Sequence, residues 1–388
     1  MKYLVLLCDG MADFKIPELG DKTIIEYANT PNFDRLAEFG SCGLIHTVPE
    51  GMYPGSDICN LSIFGYDPKK YYTGRSPLEA ASKGIDLDDT DMSFRCNIVT
   101  YSDNYSVMED FSGNHVSDED ASYIIDILNT EFRDQGFEFY SGVGYRNLIV
   151  VRNCDYDITT VPPHDIMGEK VKKYLPSGKG ADGITELMNK ANKLVAESGV
   201  AGVNGIWIWG EGRKPKMDLY KTLYGVEGSV VAAVDLIKGI GKYAGLDIIE
   251  VPGATGFIDT NFEGKASYAV DSLNYGDYVF IHVEAPDEAG HMGSIEEKIK
   301  AVENIDSIML PVILEGLKRF GDYRLLVTPD HPTPVSLRTH VKKPVPAVIY
   351  GKDVKKDSNT FYSEDILPSF VMNDGYKIAK YFLNKSNI

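Results

Sequence analysis

Short, continuous apolar runs recur along this sequence, and several are followed by a loop and then a helical pattern. Unbroken Val, Ile and Leu runs of this kind are typical of parallel strands that are covered on both faces. Their alternation with helices predicts an α/β fold with a doubly wound, mostly parallel sheet. The predicted strands are Tyr3–Cys8, Tyr278–Val283, Arg324–Thr328 and Val345–Tyr350, and the predicted helices include Asn32–Phe39, Ser229–Tyr243 and Ile295–Phe320.

The middle of the chain has a different pattern. Strand-like segments such as Phe94–Tyr101 mix there with helical ones such as Ser117–Asn129, and no strand ends in an acidic cluster. This mixture predicts an α+β domain inserted into the first one. The expected organisation is a first domain made of residues 1–87 and 204–388 and an inserted domain made of residues 88–203.

The chain carries a formal net charge of −18. Such a surface argues against nucleic acid or an anionic membrane as the main partner, because both attract basic surfaces. No stretch approaches the roughly 20 apolar residues of a membrane span. A small anionic substrate is compatible with this charge, since a local cluster of arginines or metal ions overrides the global field. No pattern indicates an oligomeric state.

The five cysteines are scattered, and none forms a Cys-x-x-Cys pair. We expect free thiols in a reducing compartment, which favours a cytoplasmic protein. The apolar run near the N-terminus ends at Asp9 and is too short for the core of a signal peptide.

Acidic residues follow three of the predicted strands. Asp9 follows the first, Asp287 and His291 follow the second, and Asp330 and His331 follow the third. Ligands bind at the carboxyl ends of strands in open α/β sheets, so these side chains are expected at one edge. A single Asp after a strand is more often a helix cap or a turn former. Three such clusters, two of them with histidine, favour a metal site.

The spacing within these clusters suits metal ligation. Asp287 and His291 are four residues apart, which places both side chains on one face of a helix. His340 lies nine residues after His331 and either returns to the same edge or is an ordinary surface-loop histidine. Carboxylate and imidazole ligands without thiolate favour manganese, zinc or iron over calcium.

Ser56 is the candidate nucleophile. It follows Gly55, which is expected to free the backbone just before it. It precedes what looks like the first turn of a helix, a position that favours phosphate binding. A serine hydroxyl needs a base or a metal to become a good nucleophile. Without such a neighbour Ser56 would be a simple N-cap. Beside a metal cluster, the nucleophile interpretation is the stronger one.

Taken together, these motifs resemble the archaeal-type, cofactor-independent (2,3-bisphosphoglycerate-independent) phosphoglycerate mutases of the alkaline phosphatase superfamily. They are also similar to a bacterial branch of proposed homoserine kinases. The segments that carry the resemblance span nearly the whole chain and are Leu6–Asp13, Gly55–Asp57, Tyr72–Arg75, Pro162–Asp165, Trp207–Gly210, Asp287–His291 and Thr328–His331.

The resemblance implies two divalent metal ions, Mn²⁺ or alternatively Zn²⁺, and no 2,3-bisphosphoglycerate. It implies a small phosphorylated substrate and a role in glycolysis and gluconeogenesis. The inserted domain would be a substrate cap. One metal ion would be held by Asp287, His291 and His340, and the other by Asp9, Asp330 and His331 with Ser56, which would also be the nucleophile.

Residues for substrate binding are expected in and near the cap. Phosphate and carboxylate groups are bound by arginine forks or lysine charges. His164 and Asp165 would carry the proton to and from the glycerate hydroxyls, or would form a turn after two prolines. The candidate substrate ligands are Arg75, Arg146, Arg213 and Lys214.

Three other functions fit the same motifs. A homoserine kinase-like phosphotransferase would not need a nucleotide-binding glycine loop, and the chain has none. A metal-dependent phosphomonoesterase would differ only in the access of water. A metal-binding protein without activity would have no use for Ser56 beside the ligands.

Overall fold

A computed structural model of the chain describes residues 1–383. The chain divides into two compact units, the first made of Met1–Tyr72 and Lys216–Ile388 and the second of Thr73–Pro215. Residues 384–388, which the sequence assigns to the first domain, lie outside the described residues. The sequence-based boundaries, at 87/88 and 203/204, fall inside the second unit. Sequence patterns cannot locate them better, because the segments on either side pair with the strands of that unit.

The strands of the described residues are, in chain order, β1 (Lys2–Cys8), β2 (Ser41–Ile45), β3 (Met92–Ser102), β4 (Val107–Asp110), β5 (Phe137–Val143), β6 (Arg146–Val151), β7 (Asp157–Thr159), β8 (Ser177–Lys179), β9 (Gly205–Gly212), β10 (Gly228–Val231), β11 (Asp247–Ile248), β12 (Tyr278–Val283), β13 (Tyr323–Thr328), β14 (Val345–Gly351) and β15 (Phe370–Met372).

The α-helices are, in chain order, α1 (Ile24–Tyr27), α2 (Pro31–Phe39), α3 (Ser56–Phe64), α4 (Pro68–Tyr71), α5 (Ser76–Ser82), α6 (Asp118–Phe132), α7 (Ala181–Glu197), α8 (Tyr220–Tyr224), α9 (Asp235–Tyr243), α10 (Phe262–Ser272), α11 (Ala285–Met292), α12 (Ile295–Asn304), α13 (Leu310–Lys318) and α14 (Lys377–Leu383). Four short 3₁₀ helices cover Pro17–Leu19, Arg133–Gln135, Pro163–Ile166 and Val171–Tyr174.

The first unit is built on an eight-stranded sheet in the order β11-β10-β12-β1-β13-β14-β2-β15. Its central strands are buried along almost their whole length, as their unbroken apolar runs require. Helices α2, α10, α12 and α13 pack on one face. On the other face, Phe64 of α3 stacks on Phe280 of β12 with ring centroids 3.9 Å apart. The prediction of a doubly wound, mostly parallel α/β fold is confirmed.

One strand of the predicted set runs the other way. β14 is antiparallel to both β13 and β2, whereas β10, β12, β1 and β13 are parallel to their neighbours in this part of the sheet. A loop without a regular helix joins β13 to β14, so the chain turns straight back. Parallel neighbours are usually joined by a crossover that contains a helix, and the loop between β13 and β14 has none. This loop carries three residues of the candidate site.

Two predicted helices differ from the structure. Ser229 lies in β10 and not in a helix, because the Val pair that follows it packs as a sheet strand before α9 begins. The long helix predicted for Ile295–Phe320 is α12 and α13 joined by the π-helical segment Ile305–Met309. Pro311 follows that segment. A proline supplies no backbone N–H, so the local change in hydrogen bonding there matches its chemistry.

The second unit contains a five-stranded sheet of β4, β3, β6, β5 and β9, in which the pairings of β3 with β4, β6 and β9 and of β5 with β6 are antiparallel. Helices α6 and α7 cover it and share its hydrophobic core. β9 pairs with β3 along Val99 to Ser93, so the segment after residue 203 belongs to this sheet. None of the described helices is both long enough and apolar enough to cross a membrane.

Candidate metal centre

Three adjacent parallel strands bring the predicted ligands to one edge of the first unit's sheet. β1 lies between β12 and β13, with Cys8 opposite Val283 and Leu7 opposite Thr328. The residues that follow these strand ends are therefore neighbours in space, although β1 is far from β12 and β13 in the sequence.

One set of ligands, here called the open group, consists of Asp287, His291 and His340. Asp287 and His291 occupy successive turns of α11, and Asp287 Oδ2 lies 3.2 Å from His291 Nε2. His340 Nε2 lies 2.9 Å from His291 Nε2 and 3.5 Å from Asp287 Oδ1. The carbonyl of Arg338 accepts a hydrogen bond from His291 Nδ1, at 3.0 Å, so Nε2 presents its lone pair to the group.

The other set, here called the buried group, consists of Ser56, Asp9, Asp330 and His331. His331 Nε2 lies 3.2 Å from Ser56 Oγ, 3.3 Å from Asp330 Oδ2 and 3.5 Å from Asp9 Oδ1. Four ligands placed tetrahedrally at about 2.0–2.1 Å from a metal ion are about 3.3 Å from one another. These separations therefore suit a shared cation.

The polar atoms of the buried group also fit a cation. Asp9 Oδ1 is buried and has no hydrogen-bond partner. Burial raises the pKa of Asp9 well above its ordinary value, and repulsion from Asp330 and Asp287 raises it further. A buried carboxylate oxygen without a donor is costly unless a positive charge lies beside it. The chemistry of this group therefore matches a divalent ion.

Asp330 and Asp287 differ in the groups that surround their carboxylates. Asp330 Oδ1 accepts the backbone N–H groups of Gly10 and His331, at 3.1 and 2.9 Å, and Oδ2 accepts the Asn60 amide at 2.9 Å. Asp287 belongs to the open group and also lies close enough to Asp9 and His331 to share an ion with them. The two groups are therefore in contact through Asp287.

Ser56 is the first residue of α3, and Gly55 is the N-cap. The Ser56 hydroxyl therefore does not cap the helix, which leaves it beside His331. Gly55 has φ −86°, a conformation open to any residue, so its backbone freedom is not what the site requires. A Cβ at Gly55 would lie 2.3 Å from the Tyr53 ring and 2.4 Å from Asp57 Oδ1. Position 55 therefore requires a glycine because the neighbouring side chains leave no room for a Cβ atom.

Three residues that hold the ligands were not predicted from the sequence. His282 Nε2 lies 2.8 Å from Asp9 Oδ2, and burial together with Lys265 lowers the pKa of His282 to about 3, so the ring is neutral and donates to the carboxylate. Asn60 donates to Asp330, and Thr333 contacts Asp287 and His331. A lone histidine inside the apolar run of β12 was the one sequence signal that pointed to any of them.

The remaining predicted site residues all lie in the second unit. The imidazole of His164 meets the Trp209 ring edge-on at 5.4 Å, and its Nε2 lies 3.6 Å from Asp165 Oδ1. The Arg213 guanidinium donates four hydrogen bonds, all to backbone carbonyls, which leaves it little capacity for a substrate. Arg146 lies over the Tyr145 ring, Arg75 lies 3.4 Å from Glu79, and Lys214 is half-buried.

Comparison with known proteins identifies relatives along the whole chain. A sequence model of the family described as 2,3-bisphosphoglycerate-independent phosphoglycerate mutase matches residues 37–201. The chain is 45% identical to a probable mutase of that name from Geobacter sulfurreducens, over 99% of this chain and 100% of the relative. It is 47% identical to the mutase of that name from Methanosarcina acetivorans, over 94% of both chains.

Solved structures share the fold. The PH0037 protein from Pyrococcus horikoshii is similar with a TM-score of 0.82 and 28% identity, over 100% of this chain and 98% of that one. A cofactor-independent phosphoglycerate mutase from Thermoplasma acidophilum is similar with a TM-score of 0.66 and 23% identity, over 99% of both chains.

Proposed function

This chain belongs to the family of 2,3-bisphosphoglycerate-independent phosphoglycerate mutases, and we propose that it interconverts 3-phosphoglycerate and 2-phosphoglycerate through a phosphoserine at Ser56. As the family's name states, 2,3-bisphosphoglycerate is not required. The observation that supports the residue assignment best is the Ser56 hydroxyl, 3.2 Å from His331 Nε2 at the first residue of α3.

The proposal includes two divalent cations, Mn²⁺ or Zn²⁺, one in each group. Asp287, His291 and His340 would hold one, and Asp9, Asp330, His331 and Ser56 would hold the other. Bound there, the cations would lower the pKa of the serine hydroxyl and neutralise charge on the phosphoryl oxygens. The mixed oxygen and nitrogen donor set supports these metals over calcium.

The phosphoryl transfer itself would depend on Ser56 and the residues around it. Ser56 Oγ loses its proton and forms the new P–O bond while the P–O bond of the substrate breaks, and the glycerate oxygen that leaves takes up a proton. The other hydroxyl of glycerate then loses its proton and attacks the phosphorus of phospho-Ser56, the bond between Oγ and phosphorus breaks, and Oγ is protonated again. The positive end of the α3 dipole favours the phosphoryl group at this position. Asp9, whose Oδ1 has no hydrogen-bond donor, would be held in its charged form by a cation bound beside it.

We assign the second unit the role of a substrate cap, with His164 and Asp165 moving the proton and Arg146, Arg75 and Lys214 binding the anionic groups. Exclusion of water during the reorientation of glycerate separates a mutase from a phosphatase. Arg213 is the weakest of these candidates, because its guanidinium is already engaged by carbonyls.

The test is an assay of purified protein with Mn²⁺. Conversion of 3-phosphoglycerate to 2-phosphoglycerate, without added 2,3-bisphosphoglycerate, is the expected result. ATP-dependent phosphorylation of homoserine in place of isomerisation would make the chain a homoserine kinase-like phosphotransferase. Release of inorganic phosphate as the main product would make it a phosphomonoesterase.

We also propose that the enzyme works in the cytosol. All five cysteines are unpaired, and four of them are buried, which suits a reducing compartment. The net charge of −18 supports a small anionic substrate drawn in by local cations, with no nucleic acid or membrane as a partner.

A further inference from the structure

The hydroxyl of Thr333 contacts one member of each ligand group. Thr333 Oγ1 lies 2.5 Å from Asp287 Oδ1, in the open group, and 3.2 Å from His331 Nδ1, in the buried group. The side chain is fully buried. A carboxylate only accepts, so the hydroxyl donates its hydrogen to Asp287 and accepts one from His331 Nδ1.

This pair of hydrogen bonds sets the orientation of both groups at once. With its hydrogen on Nδ1, His331 has a bare Nε2 lone pair, and that atom faces Ser56 and Asp330. With Oδ1 held by Thr333, Asp287 keeps Oδ2 turned to His291 Nε2, at 3.2 Å. We infer that Thr333 is a positioning residue shared by both metal sites, so that one hydroxyl sets the affinity of each.

The backbone of Thr333 is itself fixed on two sides. The fully buried Lys298 ammonium donates to the Thr333 carbonyl at 2.8 Å and to the Ala12 carbonyl at 3.2 Å. The Thr333 N–H also donates to the Ala12 carbonyl, at 3.2 Å. On the other side, a Cβ at Gly290 of α11 would lie 2.4 Å from the Thr333 carbonyl oxygen. The hydroxyl is therefore held in place by groups that bind no metal.

Other hydrogen bonds to the ligands serve a single group. Asn60 donates to Asp330, His282 donates to Asp9, and the Arg338 carbonyl accepts from His291. Loss of one such partner is expected to weaken one site. Loss of the Thr333 hydroxyl is expected to weaken both, because His331 loses its acceptor and Asp287 loses its donor.

The inference rests on the two-metal centre of the proposed function, and calorimetric titration of the metal-free full-length protein with Mn²⁺ tests it. Thr333→Val has the same shape without the hydroxyl and should weaken both binding steps about 10–100-fold, the usual cost of losing an outer partner. Thr333→Ser keeps the hydroxyl and should bind both ions as the wild type does. Asn60→Leu, matched in shape, should weaken one step only.

The outcomes separate this inference from the proposed function. If wild type binds two ions and Thr333→Val weakens neither step, or only one, the shared role of Thr333 is refuted and the two-metal centre stands. If Thr333→Ser loses affinity as Thr333→Val does, packing is the cause and the inference is again refuted. If wild type takes up fewer than two ions, the two-metal centre fails and the inference fails with it.

Discussion

The buried group and the open group use the same ligand types in opposite surroundings. The side chain of His331 is 0% exposed, and burial lowers its pKa. The side chain of His291 is 37% exposed, and the hydrogen bond that it donates to Asp287 raises its pKa to about 9. A proton can therefore take the place of a cation in the open group at neutral pH. In the buried group His331 is not readily protonated, and Asp9, whose pKa burial raises, takes up the proton when no cation is bound.

This contrast follows from where the ligands lie on the fold. Asp9 and His331 come directly after strands in the middle of the sheet, where neighbouring strands exclude solvent. His291 lies in the last turn of the short helix α11, whose outer end is open to water. The open group is thus suited to exchange its ion, and the buried group to retain it.

Metal removal is expected to have the largest effect and to distinguish the groups in time. A chelator should abolish turnover completely, and Mn²⁺ should restore it. The ion of the open group should leave first, because its ligands are accessible, so that metal analysis finds one ion per chain at intermediate times. If both ions leave together at a single rate, the expected difference between the open and buried groups is wrong. Full activity in metal-free protein would contradict the proposed metal-dependent function.

Ser56→Ala is the next largest change and concerns the buried group alone. Removal of a covalent nucleophile typically lowers kcat about 10⁴-fold or more. Fold and melting temperature should change little, because Gly55 and not Ser56 is the N-cap of α3. The measurements are kcat, melting temperature and the intact mass of wild type quenched with substrate.

A matched serine serves as the control. Ser294 accepts the Glu297 N–H and caps α12, so Ser294→Ala should cost about 1 kcal/mol of stability and leave kcat unchanged. Near-normal kcat in Ser56→Ala, or the absence of a phosphoryl adduct on the peptide that contains Ser56, would exclude the covalent mechanism.

Substitution of His282 should change the metal affinity of the buried group alone, and its effect should be smaller than that of Ser56→Ala. His282→Leu removes the donor to Asp9 Oδ2. It should lower the affinity of the buried group for its metal ion about 10–100-fold and leave the affinity of the open group unchanged. His282→Gln offers an amide N–H and should recover part of the loss. Val279→Ala, in the same buried strand, is the control and should lower the melting temperature without changing either affinity. If His282→Leu lowered the metal affinity of both groups equally, the effect of His282 would not be confined to the buried group.

The smallest effect is the pH dependence of the metal-free protein. The pKa of His291 is raised from 6.5 to about 9 in the folded chain, so its contribution to stability is complete below about pH 6.5 and is lost as pH rises through 9. Because the side chain is partly exposed, solvent screening reduces this contribution to about 1 kcal/mol, or about 2–4 °C in melting temperature. His291→Gln should lack this fall between pH 6.5 and 9. An identical fall in that variant would assign the effect to another group.

The convergence of Asp9, Asp287 and Asp330 could be predicted from the sequence, because parallel strands present their carboxyl ends at one edge. The spacing of Asp287 and His291 also gave their shared helix face. His282 could not be assigned, since a histidine within a buried strand reads as core until its partner is known. Thr333 carries no local signal, because its contact with Asp287 comes from folding a loop against α11.

The direction of β14 and the role of Gly55 before Ser56 were harder to predict. The apolar run of β14 indicates that the strand is buried but not which way it runs in the sheet. The loop before β14 contains no regular helix, and the strand pairs antiparallel with β13. Gly55 was expected to supply backbone freedom, whereas its neighbours Tyr53 and Asp57 show that it supplies room. Both features depend on the conformation that the nearby chain adopts, which the residue types alone do not specify.

The position of β1 between β12 and β13 has a consequence for the order in which the protein is made. Asp9 and Ser56 leave the ribosome early, but the strands on either side of β1 are translated only after residue 277. His331 and His340 follow later still. A nascent chain thus carries Ser56 for most of synthesis without His331 beside it, and the candidate centre can form only when almost the whole chain is present.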